Sequence, residues 1–138
     1  ADGSVIASSI KADAEWHTVT VSHYTARGET LFFVDGTLAG RTAEPPQPRA
    51  FMFGDPGTIR SGSTGVLQAD FKDLMIYRSA LNADEIAALA GGALLPASLE
   101  VYAPLTDASL GAGRALENRA QSLSFATVEG VGLVHVEK

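Results

Sequence analysis

The sequence predicts an all-β fold, an antiparallel β-sandwich with one short helix. Apolar and polar side chains alternate from Trp16 to Tyr24, which is the period of a half-buried strand. Asp35-Gly36 stands between two apolar runs and is a strong signal for a tight β-hairpin. A short capped helix follows Asn82. The chain also places 14 glycines and 6 prolines between short apolar runs, as a fold with many turns requires.

The strand from Trp16 to Tyr24 divides into two faces. One face carries His17, Val19, Val21 and His23. The other face carries the even-numbered residues from Trp16 to Tyr24. A turn containing Gly28 leads to a return strand. The other predicted strands before the helix are Val5–Ile10, Leu31–Val34, Thr37–Thr42, Phe51–Gly54 and Val66–Tyr77.

Two segments before the helix are predicted to be loops. Residues 43–49 contain three prolines, which cannot donate to a sheet ladder. The second loop, Asp55–Gly65, is polar and rich in glycine.

The helix is predicted over Asn82–Ala90. Asn82 is a favourable N-cap, and Glu85 three residues later completes a variant of the capping box. Gly91-Gly92 ends the helix. Beyond it we predict the strand Ser98–Ala103, the loop Asp107–Arg119, and two last strands, Leu123–Val128 and Gly132–Val136.

Composition excludes several classes of function. The net charge of −6 comes without a cluster of Lys and Arg, so we expect no nucleic-acid partner. No apolar run approaches the ~18–20 residues that a membrane span needs. The chain has no cysteine, which removes disulfides, cysteine-based zinc sites and a thiol nucleophile.

Several motifs in register resemble one family. They are the Trp-His-x-Val-x-Val strand at Trp16–Val21, the aromatic-x-x-Asp-Gly hairpin at Phe32–Gly36, a glycine-rich stretch at Phe53–Gly65, the strand Asp70–Tyr77 and the helix Ala80–Ile86. This order is similar to the C-terminal half of a laminin G-like or pentraxin-like jelly roll, in the concanavalin A-like lectin/glucanase superfamily. The resemblance spans Ile10 to Gly92.

The resemblance implies one sandwich domain over residues 1–138. Residues 1–92 match the family, and residues 93–138 add strands. Family domains begin with several strands before the Trp-His strand, so the domain is expected to be incomplete at its N-terminal side. Either Leu99–Val136 replaces those strands, or a second polypeptide or domain completes the sandwich.

The function implied by the resemblance is a non-catalytic carbohydrate-binding or adhesion-type module. We expect it to belong to a larger exported bacterial protein, secreted or at the cell surface, with a glycan or glycoprotein as partner. Two alternatives stay open. The chain is an accessory C-terminal part of a secreted glycoside hydrolase of the sialidase type or of an esterase, or it is a structural interaction domain completed by another chain.

No catalytic residue is predicted. A glucanase of this superfamily needs closely spaced carboxylates on one strand face, and no Glu-x-Asp-x-x-Glu pattern occurs. Asp70 and Asp73 are three apart, which puts them on opposite faces of a strand. A structural hydrogen bond at the strand edge is the expected role of Asp73. A Gly-x-Ser-x-Gly elbow is absent as well.

The candidate binding residues are acids and aromatics in or near loops. Calcium is the one candidate cofactor, with Asp55 and Asp70 as its ligands, although solvated loop acids are the simpler interpretation. His17, His23 and His135 lack zinc spacing and are interpreted as ordinary sheet residues. Tyr24, Tyr102 and Asp107 are the candidate ligand contacts. Trp16 and Tyr77 match family positions that pack within the fold, so both are expected in the core.

Overall fold

A computed structural model describes residues 13–43, 71–105, 109–110, 114–125, 127 and 133–134. These residues form antiparallel hairpins and one short α-helix, which confirms the predicted all-β class. Three sheets have the strand orders β1-β2-β3, β4-β5 and β6-β7. The elements are β1 (Val19–Tyr24), β2 (Glu29–Val34), β3 (Thr37–Thr42), β4 (Leu74–Tyr77), α1 (Ala83–Ala90), β5 (Leu99–Ala103), β6 (Ser109–Leu110) and β7 (Leu133–Val134).

The chain divides into two compact units. The first comprises Ala1–Gln47 and Tyr77–Ser98, and the second comprises Pro48–Ile76 and Leu99–Lys138. The first unit therefore holds the three-stranded sheet and helix α1, and the second holds β5 and the chain that follows it. In the part of the chain that is described, no helix is long and apolar enough to cross a membrane.

The first unit is built on the predicted hairpins. Strand β1 pairs antiparallel with β2, and β2 pairs antiparallel with β3. Asp35 and Gly36 connect β2 to β3 with φ angles of 50° and 76°. A turn with positive φ at both central residues has a backbone twist that is compatible with the right-handed twist of the flanking strands. This turn can therefore close the hairpin without forcing the two strands apart.

Helix α1 covers one face of this sheet. The side chain of Asn82 accepts a hydrogen bond from the amide of Glu85, and the Glu85 carboxylate accepts one from the Asn82 amide, which confirms the capping box. Ile86 is 0% exposed and packs with Phe33 and Leu81. The core of the first unit thus lies between the helix and the Phe33 face of β2, bordered by Leu31, Tyr77 and Leu89.

Gly36 lies directly under helix α1. A Cβ atom added at Gly36 would stand 3.2 Å from the Ala87 Cα and 3.3 Å from the Ala90 Cβ. We expect Gly36→Ala to destabilise the first unit by about 1–3 kcal/mol, because it adds a close contact to an unfavourable positive φ. Urea unfolding followed by far-UV circular dichroism measures the loss.

Gly28 is the matched control for this substitution. Its φ is also positive, at 58°, but no atom lies within 4 Å of an added Cβ. Gly28→Ala should therefore carry only the backbone cost, about 1 kcal/mol. Equal losses at the two glycines would show that the turn does not press against the helix.

The second unit is organised around β5. Leu99, Val101 and Ala103 are buried, while Glu100 and Tyr102 alternate with them on the other face. The amide of Asp73 donates to the carbonyl of Pro104, and the Tyr102 hydroxyl donates to the Asp73 carboxylate. These bonds confirm the structural role expected of Asp73.

Some sequence-based expectations were wrong. Trp16 is 54% exposed rather than buried, because the strand begins only at Val19 and Trp16 lies in the irregular segment before it. Tyr77, by contrast, packs on the core as expected. The predicted strand Leu123–Val128 is not formed at Leu123–Phe125, where side chains of the loop satisfy the backbone instead.

Several predictions are tested only in part or fall outside the described residues. Of the strand expected over Val66–Tyr77, Leu74–Tyr77 is a strand and residues 71–73 are not, since Asp73 has φ 55°, while residues 66–70 lie outside the described residues. The predicted strands Val5–Ile10 and Phe51–Gly54 and the loop Asp55–Gly65 lie outside the described residues.

Candidate functional site

The predicted ligand and metal residues divide into described and undescribed positions. Tyr24 lies in the first unit and Tyr102 in the second. Asp107, Asp55 and Asp70 lie outside the residues that the structure describes.

Tyr24 ends strand β1 and is held by two contacts. Its hydroxyl donates to the carbonyl oxygen of Leu81. The guanidinium of Arg27 lies 5.5 Å from the centroid of the Tyr24 ring, within the range of a cation–π contact. Both the hydroxyl of Tyr24 and a face of its ring are therefore engaged within the first unit.

An open depression lies beside Tyr24 and is connected to it by Arg27, which stacks on the Tyr24 ring and also lines the depression. Its volume is about 420 Å³, and it is lined by Arg27, Gly28, Glu29, Arg41, Thr42 and Ala43. Arg41 Nη1 donates to Glu29 Oε1 over 3.4 Å, a long and exposed contact. Such a pair contributes little to stability and can rearrange around a ligand. The depression offers guanidinium donors and a carboxylate acceptor, which suits a polar, hydroxyl-bearing molecule.

The sequence analysis missed the two arginines of this depression. Arg27 and Arg41 are 14 positions apart in the chain and have no motif in common. The β2–β3 pairing brings them together, since Leu31 is the partner of Arg41 and Gly28 lies in the turn just before β2. Counting the register back from the Asp35-Gly36 hairpin would have paired Arg41 with Thr30 instead, because a register shift between Phe32 and Phe33 displaces the pairing by one residue.

Tyr102 and Asp73 form a hydrogen-bonded pair of polar side chains on β5 and just before β4. Its hydroxyl lies 3.1 Å from Asp73 Oδ1. Because the Asp73 carboxylate accepts a hydrogen bond from the neutral phenol, the pKa of Tyr102 is raised above its ordinary value. The phenol is thus a poor proton donor near neutral pH, and this pair serves hydrogen bonding rather than acid–base chemistry.

Asn118 fixes the loop that follows β5. Its Oδ1 accepts from the amides of Tyr102 and Ala120, both at 2.9 Å. Its Nδ2 donates to the carbonyls of Glu100 and Ser124, at 2.9 and 2.8 Å. The side chain therefore satisfies backbone groups of β5 and of the loop at once, as a neighbouring strand would.

Glu100 also stabilises this loop, through two hydrogen bonds to its carboxylate. Its Oε2 accepts from the hydroxyls of Ser122 and Ser124, at 2.9 and 2.6 Å. An isolated antiparallel bridge between Ala115 and Thr127 closes the ends of the loop. Residues 115–127 thus form a loop with close ends and internal side-chain bonds, a kind of loop that often carries function.

Three ionisable side chains, Asp13, His17 and Asp35, form a cluster near the start of β1. His17 Nδ1 is 2.7 Å from Asp35 Oδ2, and His17 Nε2 is 3.1 Å from Asp13 Oδ1. Asp35 Oδ1 also accepts from the amide of Thr18 at 2.8 Å. The imidazolium form can donate from both nitrogens, so this cluster ties the chain before β1 to the hairpin turn. The Asp13 and His17 spacing of four positions was its only sequence signal.

These bonds make the cluster depend on pH. The hydrogen bonds to Asp35 and then to Asp13 raise the pKa of His17 above 6.5. The bond from His17 and then the Thr18 amide lower the pKa of Asp35 below 3.8. The cluster is therefore fully charged between pH 3.8 and 6.5. Its stabilisation is lost above this range as His17 deprotonates, and below it as the carboxylates protonate.

We expect the His17 ring to titrate at a higher pH than that of a histidine in a short peptide. An NMR titration of the imidazole carbons measures this directly. In the Asp35→Asn variant the pKa of His17 should fall, since a carboxylate is replaced by a neutral amide. An unchanged His17 pKa in that variant would mean that the Asp35 bond does not form in solution.

Among the described residues, no group of three or more His, Cys, Asp or Glu side chains is placed to hold a metal ion. Asp13, His17 and Asp35 are joined by hydrogen bonds through both ring nitrogens of His17. Neither nitrogen is then available as a metal ligand, because coordination requires a free lone pair.

A comparison with known protein families agrees with this fold of hairpins and one helix packed on the sheet. A laminin G family model, described as the concanavalin A-like lectin/glucanases superfamily, matches residues 2–87. The chain belongs to this superfamily. The matched region contains the sheet β1-β2-β3 and the first part of helix α1, so it covers the depression beside Tyr24 but not Tyr102 or residues 115–127.

One solved structure is similar over part of its length. It is an S-layer domain-containing protein from Clostridium thermocellum, with 22% sequence identity and a TM-score of 0.47. The similarity covers 59% of this chain and 42% of that structure, so the chain spans less than half of it. A search of curated protein sequences found no match.

Proposed function

We propose that this lectin-like domain is a non-catalytic carbohydrate-binding or adhesion-type module of a larger exported protein, secreted or displayed at the cell surface. Membership of the lectin/glucanase superfamily is the observation that carries the proposal. A sandwich of this kind hosts unrelated activities, so the ligand must be argued from side chains.

The depression beside Tyr24 is the ligand site that we favour. Arg27, Arg41 and Glu29 supply donors and an acceptor for the hydroxyl groups of a sugar, and Arg27 connects the depression to the ring of Tyr24. Tyr102 and Asp107 of the second unit remain candidate contacts for the same type of ligand. Among its described lining residues Glu29 is the single carboxylate, whereas glycoside hydrolysis uses a pair of carboxylates.

Thermal unfolding with a panel of neutral and acidic oligosaccharides tests this function. A ligand that binds only the folded state raises the melting temperature, by linkage. The same samples, analysed for released sugar and acetate, test the alternative of an accessory hydrolase or esterase part. Hydrolysis that a single carboxylate or serine substitution abolishes would overturn the non-catalytic proposal.

A second candidate function rests on a different observation. The β1–β2 sheet has a second face, opposite to helix α1, on which Val19 and Val21 pair with Val34 and Phe32. Val19 is 71% exposed and Val21 is 52% exposed. Exposed apolar side chains on a sheet face favour association. The alternative is therefore a structural interaction domain that another polypeptide completes.

Calcium binding stays a separate proposal. Asp55 and Asp70 are its candidate ligands, since loop carboxylates are the groups that calcium prefers. We expect millimolar calcium to raise the melting temperature and a chelator to reverse the shift. Asp55→Asn and Asp70→Asn should each reduce the shift. If the melting temperature is the same with calcium and with chelator, the calcium proposal is wrong.

A further inference from the structure

One imidazole ring joins the segment before β1 to the turn between β2 and β3. His17 Nδ1 lies 2.7 Å from Asp35 Oδ2 in the turn, and His17 Nε2 lies 3.1 Å from Asp13 Oδ1 in the segment. Residues 14–18 form neither helix nor strand, so no sheet ladder holds them in this position. We call Asp13, His17 and Asp35 the latch.

The number of protons on His17 determines how many of the latch contacts are hydrogen bonds. An imidazolium carries an N–H on each nitrogen and can donate to both carboxylates. A neutral imidazole carries one N–H, and its other nitrogen presents a lone pair. An ionised carboxylate only accepts hydrogen bonds, so it cannot bond to that lone pair. The loss of one proton from His17 therefore leaves one of the two hydrogen bonds.

The surroundings of the two carboxylates determine which hydrogen bond is kept. Asp35 Oδ1 also accepts from the Thr18 amide at 2.8 Å, so moving Asp35 would break a second bond. Asp13 Oδ1 accepts from the Glu15 amide at 2.8 Å, a bond within its own segment that moves with it. The contact of His17 with Asp13 is also the longer of the two. Neutral His17 therefore keeps its proton on Nδ1 and its bond to Asp35, and Asp13 is released.

The charges around His17 act in the same direction. The charged groups that face it are Asp35 of the turn and Asp13 of the preceding segment. Helix α1, which packs on the turn, presents only Ala87 and Ala90 there. While His17 is charged, a cation stands between two carboxylates and attracts both. Once His17 is neutral, the two carboxylates act on each other as like charges with no cation between them, which favours the departure of Asp13.

We propose that the latch is a pH-sensitive switch, which fixes residues 13–17 on the turn while His17 carries both protons and releases the Asp13 end when one is lost. The hydrogen bonds to Asp35 and then to Asp13 raise the pKa of His17 above 6.5, so the latch is closed at pH 6.5 and opens as the pH rises through that pKa. Trp16 is 54% exposed and lies within the latched segment. The backbone that carries this aromatic side chain is thus fixed in mildly acidic solution and released in alkaline solution.

Backbone ¹⁵N relaxation at two pH values tests the switch. The lower value is about pH 5.5, and the upper value lies about two units above the pKa of His17, where neutral rings outnumber charged ones about a hundredfold. We expect the amides of Glu15 and Trp16 to have order parameters near about 0.85 at the lower pH and below about 0.6 at the upper pH. The amide of Thr18, which stays bonded to Asp35, should be rigid at both.

Two substitutions at Asp13 separate the switch from a merely structural contact. Asp13 is exposed, so both variants should fold like the wild type, which far-UV circular dichroism checks. Asp13→Ala removes the releasable end, so residues 15 and 16 should have the low order parameters at both pH values. Asp13→Asn offers an oxygen to the charged ring and, after rotation, an N–H to the neutral ring. The segment should then stay rigid at both pH values.

His23→Gln is the matched control, because the His23 ring bonds to the neutral hydroxyl of Thr30, at 2.9 Å, rather than to a carboxylate. Its pH response at residues 15 and 16 should equal that of the wild type. Wild-type order parameters that do not change with pH would overturn the proposal. So would a pH response that persists in Asp13→Ala or disappears in His23→Gln. A loss of order at Thr18 rather than at Glu15 would show that Asp35 leaves instead, which also contradicts it.

Discussion

Ile86→Ala should destabilise the first unit by about 3 kcal/mol, since replacing a fully buried aliphatic side chain by alanine removes both its burial and its contacts. Ile86 is 0% exposed and lies against Phe33 and Leu81, where the helix meets the sheet. Urea unfolding followed by far-UV circular dichroism and by the fluorescence of Trp16, the single tryptophan, measures the change.

The matched control is Leu123→Ala, which removes a side chain of similar size from a fully exposed position. Its effect should stay within about 0.5 kcal/mol. A similar loss at both positions would mean that the helix does not form the core of the first unit. Ile86→Val, which deletes one methylene, should cost about 1 kcal/mol and lie between the two.

Asn118→Ala should release the loop of residues 115–127 and destabilise the second unit by about 2 kcal/mol. The substitution leaves two amides and two carbonyls without the partner that Asn118 provides. The amide protons of Tyr102 and Ala120 should exchange with solvent roughly 30-fold faster, since 1.4 kcal/mol is a factor of ten. Hydrogen exchange followed by NMR measures this.

Gln121→Ala is the control on the same loop, because Gln121 is an exposed amide side chain. Exchange at Tyr102 and Ala120 should stay near the wild-type rate in that variant. The account of the loop would be wrong if Asn118→Ala and Gln121→Ala changed exchange equally. Asn118→Asp should fall between them, since it keeps the acceptor but loses both donated bonds.

The first unit could be predicted well because its signals are local. The Asp35-Gly36 turn, the strand Thr37–Thr42 and the capping box at Asn82 each depend on a few neighbouring residues. Turn type and capping are decided by φ preferences and by side-chain oxygens within three positions. These features can be predicted without knowing which residues pack against them in the folded chain.

The second unit was harder to predict because its loop is held by long-range side-chain bonds. Leu123–Phe125 has the alternation of a strand, and the hydroxyls of Ser122 and Ser124 both bond to the carboxylate of Glu100. Their partner is a glutamate more than twenty positions earlier in the chain rather than a neighbouring strand. An alternating pattern cannot tell these two partners apart, since both produce a period of two.

The binding residues were only partly predictable for a similar reason. Tyr24 was a candidate because it is a large polar aromatic that matches no core position of the family, and Arg27, which stacks on its ring, also lines the depression. The side chains that give the depression its charge, Arg27 and Arg41, meet only through the β2–β3 register. A pair fixed by tertiary structure leaves no short-range motif.

The most direct test of the account is a glycan array probed with the wild type, with Arg41→Ala and with Leu123→Ala. Arg41 and Leu123 are exposed, so neither substitution should affect folding. We predict glycan binding by the wild type, weakened by Arg41→Ala and unchanged in Leu123→Ala. A blank array, from a chain that nevertheless associates with itself, would contradict the carbohydrate-binding function and leave the interaction domain as its role.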